Sequence, residues 1–391
     1  MAKAFQVLTL NKISTAGLKR LPAHRYQVGD KVTHPDAILV RSHNMLEMEI
    51  PSSVLAIARA GAGTNNVPVK KMSERGVPVF IAPGANANAV KELVIAGLFL
   101  AARNICQSWG FVRGLTGDAH ALEEAVEGGK KRFVGYELPG RTLGVVGLGA
   151  IGVEVANAAH ALGMRVLGYD PQITVPRAWQ LSSGVEQALS VDDLFSRSDL
   201  VSLHVPLVEA TRGLVNANRI RLMKQGAAVL NFSRAGIVAE GDVLAALDSG
   251  ALSAYVCDFP SPENKDHPKV IALPHLGAST GEAEENCAVM VVETLKDFLE
   301  NGNLRHSVNF PEAALPRLPG SHRLAIANAN VPNMVGQIST ALAAGRLNIA
   351  DLLNKSRGEV AYTLIDTESP VTDEILARVR AIEGVLAARV V

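Results

Sequence analysis

The chain has 391 residues, with Lys plus Arg and Asp plus Glu both totalling 38 and a formal net charge of zero. That length calls for two or three domains, and the charge balance excludes a large-scale field that would draw nucleic acid or an acidic membrane surface. Residues are 48% hydrophobic but only 4% aromatic, so the apolar stock is Ala, Val, Leu and Ile, which suits buried parallel strands covered by helices.

Cys106, Cys257 and Cys287 are widely spaced and form no CxxC. This argues against a disulfide framework or a thiolate metal site, and for a reducing cytoplasm. Residues 1–6 run straight into a strand-like stretch without an apolar signal core. The longest apolar run, residues 93–102, is half of the ~20 residues a membrane helix needs. A soluble protein is expected, with no nucleic-acid or membrane partner; Lys130, Lys131 and Arg132 form a local basic cluster.

In chain order, short apolar runs at 5–10, 37–40, 54–59 and 77–81 predict strands alternating with helices up to residue 85. A helix over 89–103 leads into six apolar runs, at 142–146, 165–169, 200–205, 227–232, 254–257 and 270–273. Most of these are separated by helix-length spacers, which predicts βαβ units and a doubly wound parallel sheet. Such sheets bind ligands beyond the carboxyl ends of their strands. Gly147, Asp170, Pro206, Arg234, Asp258 and His275 all stand at those ends. An amphipathic helix is predicted over 282–299. Pro311, Pro316, Pro319 and Gly320 then mark a linker within 309–321. The remainder reads as β-α-β-β-α-β, with strands at 324–329, 347–353, 360–365 and 385–390 and helices at 334–344 and 372–382. That is the order of a small ferredoxin-like module.

Gly147-Leu148-Gly149-Ala150-Ile151-Gly152 follows the first of the six runs and opens a helix. The first glycine allows the tight turn, the second lets backbone approach a pyrophosphate, and the third lets helix and strand pack closely. Asp170 ends the next run, 18 residues beyond Gly152. A carboxylate there accepts hydrogen bonds from ribose hydroxyls and repels the extra phosphate of NADP, so NAD is the expected cofactor.

Three further residues suit acid–base chemistry on a hydroxy acid. Arg234 can grip a carboxylate with two parallel bonds and polarise the adjacent carbonyl. His275 carries the group that titrates nearest neutral pH, and Glu263 lies in a loop from which it could hydrogen-bond His275. His204 is a competing histidine, which spacing alone does not eliminate.

Together these residues resemble the D-2-hydroxyacid dehydrogenases, and within them the D-3-phosphoglycerate dehydrogenase branch. The similar strings are Val40-Arg41-Ser42, Arg59-Ala60-Gly61-Ala62-Gly63-Thr64-Asn65-Asn66-Val67 and Lys91-Glu92-Leu93-Val94-Ile95, then the glycine-rich string. Leu203-His204-Val205-Pro206, Asn231-Phe232-Ser233-Arg234, Asp258-Phe259-Pro260-Ser261-Pro262-Glu263 and Pro274-His275-Leu276-Gly277-Ala278-Ser279-Thr280 complete the series. The resemblance implies a catalytic set of Arg234, Glu263 and His275, with Asp258 at the nicotinamide carboxamide. The family's commoner Glu-Pro is here Pro262-Glu263-Asn264, although the count from Arg234 still fits. Cofactor contacts are implied at Gly147, Gly149, Ala150, Ile151, Gly152, Asp170, His204, Pro206, Thr211, Ser233, Asp258 and Gly277. The Ala62–Gly63 backbone is implied as the cradle for the substrate carboxylate, with Arg41 and Ser42 towards its phosphate.

By the same resemblance the fold is α/β. A discontinuous, flavodoxin-like substrate-binding domain is expected over 1–85 and 282–308. A Rossmann NAD-binding domain is expected over 86–281, a linker over 309–321, and a ferredoxin-like ACT domain over 322–391. The resemblance implies 3-phosphoglycerate as substrate, and a homodimer or homotetramer. It also implies a serine effector at Asn328, Asn330 and Asn348, where the family's first position is His. Asn333 replaces a frequent Gly after Pro332, in a turn that Asn tolerates. Alternatives are an ACT-like module that only dimerises, another D-2-hydroxy acid as substrate (glyoxylate, hydroxypyruvate or 2-hydroxyglutarate chemistry), or a non-catalytic NAD-sensing protein. A complete proton relay argues against the sensor.

Overall fold

A computed structural model describes residues 4–391. Two compact units separate: the described residues up to Ala85 together with Glu284–Val391, and Asn86–Ala283.

In the first unit the chain runs β1 (Phe5–Leu10), α1 (Thr15–Leu18), β2 (Tyr26–Gly29), β3 (Ala37–Val40), β4 (Ala56–Arg59), α2 (Val69–Glu74) and β5 (Val79–Phe80). The five strands form a parallel sheet in the order β2-β1-β3-β4-β5, the 2-1-3-4-5 order of flavodoxin-like sheets. β3 is apolar throughout and buried along its whole length. β2 was not predicted, because Tyr26-Gln27-Val28-Gly29 is an edge strand with one buried residue and no apolar run.

The second unit opens with α3 (Ala87–Arg103), α4 (Ile105–Arg113) and α5 (Ala119–Gly129). Asn104 breaks α3 from α4 by adopting a left-handed backbone, φ 48°. Then follow β6 (Thr142–Val146), α6 (Ala150–Ala161), β7 (Arg165–Tyr169), α7 (Val175–Ala178), β8 (Val185–Gln187), α8 (Val191–Arg197) and β9 (Leu200–Leu203). The unit closes with α9 (Ala217–Ile220), β10 (Ala227–Asn231), α10 (Glu240–Asp248), β11 (Leu252–Cys257) and β12 (Val270–Ala272). The seven strands pair in parallel as β12-β11-β10-β9-β6-β7-β8. Strand order reverses between β9 and β6, and ligands of doubly wound sheets sit at that switch point. β6, β9 and β10 are buried on both faces, which is why they read as unbroken apolar runs.

α11 (Gly281–Asn301) leads on towards the C-terminal module of the first unit. That module comprises β13 (His322–Ala329), α12 (Met334–Ala344), β14 (Ile349–Arg357), β15 (Val360–Thr367), α13 (Asp373–Arg380) and β16 (Val385–Val390). Its sheet is antiparallel, in the order β14-β15-β13-β16. Strand residues point alternately to the two faces. Leu324 and Ile326 pack with Ile338 and Leu342 of α12 and Val379 of α13. Their neighbours Ala325 and Ala327, with Tyr362 and Leu364, share a core with Val291, Leu295 and Phe298 of α11 and Val7 and Leu39 of the first sheet. Asn333 enters α12 at φ 61°, the left-handed turn that Asn accommodates.

Hydrogen bonds fasten the module to the end of α11. Arg323, fully buried, pairs with Asp366 through Nε–Oδ1 (2.6 Å) and Nη2–Oδ2 (2.7 Å). It also donates to the carbonyls of Asn301 (3.1 Å), Leu315 (2.7 Å) and Pro316 (3.2 Å). Those bonds use all the donors of a guanidinium. The Tyr362 hydroxyl donates to the Gly302 carbonyl (2.7 Å), and Arg389 donates to the carbonyls of Leu299 (3.2 Å) and Phe298. These donors meet the unpaired, partly negative end of the helix.

Candidate active site

The glycine-rich turn leaves β6 and enters α6 directly. Gly147 has φ +91°, and a Cβ there would lie 2.5 Å from the His204 carbonyl oxygen. At Gly152 a Cβ would meet the Gly147 carbonyl at 1.9 Å. Gly149 differs: a Cβ added to it meets nothing within 4 Å. It caps α6 with its backbone alone, and no side chain bonds the first N–H groups of that helix. Ala150 and Ile151 form the first turn and are partly exposed. An open backbone cradle before an uncapped helix N-terminus is what a pyrophosphate requires. Asp170, beyond β7, accepts from the Leu148 amide through Oδ2 (2.9 Å) and from the Gln172 amide through Oδ1 (2.9 Å). Each oxygen keeps a lone pair for a ribose hydroxyl. These residues fit a bound dinucleotide.

His204, just beyond β9, is half-buried, and its Nε2 lies 2.8 Å from the Ser202 hydroxyl. Burial pushes its pKa down to about 4, so it is neutral at ordinary pH. Its carbonyl lies against Gly147, which makes it part of the wall of the turn. Pro206 starts a short loop closed by Thr211, whose hydroxyl donates to the Pro206 carbonyl (2.5 Å) and accepts from the Val208 amide (2.9 Å). The Ser233 hydroxyl donates to the Leu203 carbonyl (2.6 Å), joining the ends of β9 and β10.

Arg234, Glu263 and His275 follow β10, β11 and β12, three adjacent strands. All three side chains are exposed. Arg234 donates through Nη1 to the Ser233 carbonyl (2.6 Å), which leaves most of its fork for a ligand. His275 sits at φ 57° in a tight turn, with its ring 5.3 Å from that of Phe259. The turn is pinned by Asp258, which is 1% exposed and accepts from the amides of Leu276 (2.9 Å) and Gly277 (2.7 Å). Asp258 and Gly277 are therefore brought together with the His275 turn. Arg234, Glu263 and His275 are not joined to one another by hydrogen bonds, and the expected Glu263–His275 contact is not made. The Glu263 amide instead donates to the Ser261 hydroxyl (3.2 Å).

Two asparagines that sequence reasoning overlooked shape these loops. Asn231, fully buried, donates to the Arg234 carbonyl (2.9 Å) and accepts from the Ser233 amide (3.1 Å), closing the turn that presents Arg234. Asn264, 1% exposed, accepts from the Ser261 amide (2.9 Å) and donates to the Phe259 carbonyl (3.1 Å), folding the loop that carries Glu263. The only available signal was an amide at a strand end or beside a proline.

In the first unit, Arg41 is held by Glu284 at 2.6 Å, and Ser42 and Ala62 are exposed, with Gly63 partly so. Asn66 ties the loop together by donating to the carbonyls of Arg41 (3.2 Å) and His43 (2.7 Å) and accepting from Arg59 Nε (3.3 Å). Of the expected effector residues, Asn328 is buried and donates to the Ala329 carbonyl (2.8 Å), while Asn330 donates to the Gly358 carbonyl (2.9 Å). Asn328 pairs with Ala361, whereas Asn348 precedes Ile349, which pairs with Thr367 at the other end of the sheet. Some 20 Å of strand separates them. Among the described residues no His, Cys, Asp and Glu cluster is arranged for a metal ion, and no helix is long and apolar enough to cross a membrane.

The pattern of the family described as "D-isomer specific 2-hydroxyacid dehydrogenase, NAD binding domain" matches residues 99–277. The D-3-phosphoglycerate dehydrogenase of Haemophilus influenzae is 32% identical over 386 residues, 95% of this chain and 90% of that one. That of Methanocaldococcus jannaschii is 35% identical over 86% of this chain, which spans 62% of the longer relative. In fold, the chain is similar to an NAD+-bound 3-phosphoglycerate dehydrogenase of Entamoeba histolytica, with TM-score 0.60 and 23% identity over 78% of this chain and 99% of that one. Matched along nearly its whole length, the chain belongs to the D-isomer-specific 2-hydroxyacid dehydrogenases and carries their NAD-binding domain.

Proposed function

We propose that the chain oxidises 3-phospho-D-glycerate to 3-phosphohydroxypyruvate with NAD+, the entry to serine synthesis. The observation that carries this reading is the 32% identity to a D-3-phosphoglycerate dehydrogenase over 95% of the chain. Gly147, Gly149, Ala150, Ile151 and Gly152 hold the pyrophosphate and Asp170 the ribose. Asp258, Gly277, His204, Pro206, Thr211 and Ser233 form the remaining surround of the cofactor. NAD+ bound there accepts a hydride from the carbon bearing the substrate hydroxyl. His275 takes the hydroxyl proton in oxidation and returns it in reduction. Arg234 grips the carboxylate and orients that carbon. Glu263 moves to His275 when substrate is bound; catalytic hydrogen bonds are often looser before that. Residues 1–85 and 282–308 serve as the substrate-binding domain, with the Ala62–Gly63 backbone at the carboxylate and Arg41 and Ser42 towards the phosphate. Arg41 then exchanges its bond to Glu284 for the substrate.

Residues 322–391 serve as an ACT-like regulatory domain that takes serine. Because Asn348 stands at the far end of the sheet from Asn328 and Asn330, one serine could reach all three only between two copies of the module. A homo-oligomer is further supported by α4, which has no buried residue and exposes Ile105, Trp109 and Val112. The test is NADH oxidation by the purified chain with 3-phosphohydroxypyruvate against hydroxypyruvate. A large preference for the phosphorylated acid is expected. Equal rates would move the substrate to another D-2-hydroxy acid, and NADH binding without turnover would favour a sensor.

A further inference from the structure

A cavity of about 500 Å³ lies within the first unit, between the first sheet and the C-terminal module. Its walls come from the segment around Ser52–Leu55, the turn after α2 at Arg75–Val77, and strands β13 and β16. Gly76 shows how closely the two parts approach. It has φ +69°, and a Cβ there would lie 2.8 Å from the Ala387 methyl. Such a volume is that of an ordinary small-molecule site.

The chemistry of the lining is lopsided. Val54, Leu55, Ala325, Ala327 and Ala387 supply an apolar floor, the charged residues of the lining are Arg75, Arg380 and Arg389, and among the described residues no Asp or Glu lines the cavity. Among the described residues none of the three arginines forms an ion pair with a carboxylate. Their partners in the fold are carbonyls. Arg75 donates to Ile50 (2.9 Å) and Pro51 (2.8 Å), Arg380 to Ala388 (2.9 Å), and Arg389 to Leu299 (3.2 Å) and Phe298. Arg389 also lies over the Phe298 ring, 4.5 Å from its centre. Each fork has five N–H donors, so each retains unused ones. The carboxylate that acts on Arg389 at longer range is Asp36, which already accepts from the Gln6 amide at 2.7 Å. Three cationic residues with no carboxylate beside them in the lining favour an anionic occupant.

We propose that this cavity is a second ligand site, for a small organic acid whose carboxylates meet Arg75, Arg380 and Arg389 and whose short carbon body rests on the alanine and valine floor. The site is separate from Arg234 and His275, and from Asn328, Asn330 and Asn348. The apolar floor favours an organic acid over inorganic phosphate. Arg389 links the site to the end of α11, so occupancy stabilises the seat of the module on that helix.

The probe is succinate, titrated calorimetrically into the intact protein. Controls are inorganic phosphate and the variants Arg380→Glu, Ser52→Trp and Arg234→Gln. Arg380 is exposed, and its reversal should leave basal activity unchanged, at the loss of one hydrogen bond to the Ala388 carbonyl. Ser52→Trp plugs the cavity without touching a guanidinium, which covers a structural failure of the charge reversal. Saturable succinate binding is expected in the wild type and in Arg234→Gln, weakened at least ~10-fold in Arg380→Glu and Ser52→Trp, with a weaker phosphate response. Three results would overturn the proposal: no succinate binding, binding indifferent to both cavity variants, or binding lost only in Arg234→Gln.

Discussion

Two histidines close to strand ends illustrate how surroundings divide chemistry between identical side chains. His204 is half-buried against the glycine turn, with its pKa pushed down to about 4, so it carries no proton to give near neutrality. His275 is exposed on a turn that buried Asp258 holds by two amides. Replacing His275 with Asn is expected to lower kcat by at least ~10³-fold, while NADH binding, followed by its fluorescence, persists. A variant with near-wild-type turnover would remove His275 from the reaction. His204 instead predicts a stability effect. Its folded pKa lies below the ordinary value of about 6.5, so the unfolded chain binds the proton first as pH falls. Its contribution is complete above about pH 6.5 and is lost progressively towards pH 4, by at most ~3 kcal/mol. His204→Asn should therefore lose less stability than wild type between pH 7 and pH 5 in urea melts; parallel losses would contradict the buried, neutral ring. The strand-end positions of Arg234, Asp258 and His275 were legible in the sequence because parallel sheets put chemistry there. Asn231 and Asn264 were not, since a loop amide gains its role only from carbonyls and amides whose placement the chain pattern does not encode.

At the scale of elements, legibility followed burial. β6, β9 and β10 lie inside the sheet and announced themselves as apolar runs. β2 and β8 are edge strands with exposed positions such as Gln27, Glu186 and Gln187, so no alternation or run marked them. The separation of Asn348 from Asn328 was equally hidden, because it depends on strand register. The turn from β6 into α6 was legible as a motif, but only the structure divides its glycines by task. Gly149 faces open space and Gly152 faces the Gly147 carbonyl at 1.9 Å. Gly149→Val is expected to keep the wild-type Tm while NAD+ affinity falls at least ~100-fold, since the side chain occupies the approach of the pyrophosphate. Gly152→Ala should lower Tm, because the backbone itself must yield. Calorimetric titration and thermal melts of the two variants separate the tasks; equal effects on both readouts would mean that the glycines share one.

Over the whole molecule, the β-α-β-β-α-β order of the tail was legible, whereas its attachment was not. Pro311, Pro316, Pro319 and Gly320 marked a linker and said nothing of what the module packs against. In the structure one face of its sheet shares a core with α11 and the first sheet, and Arg323 binds α11, the linker and Asp366 at once. A fully buried ion pair of this kind adds little over well-packed apolar residues, yet breaking it from one side is expensive because the surviving charge has no partner. Asp366→Ala should thus destabilise the module by ~3–5 kcal/mol, seen as an early transition in urea unfolding. Joint replacement by Arg323→Met and Asp366→Leu should recover much of that loss in the pair term, but not the carbonyls of Asn301, Leu315 and Pro316 that Arg323 also satisfies. The double variant is therefore expected to fall between wild type and Asp366→Ala. Full recovery would mean that the carbonyl contacts contribute nothing to seating the module, and that apolar packing alone holds it against α11.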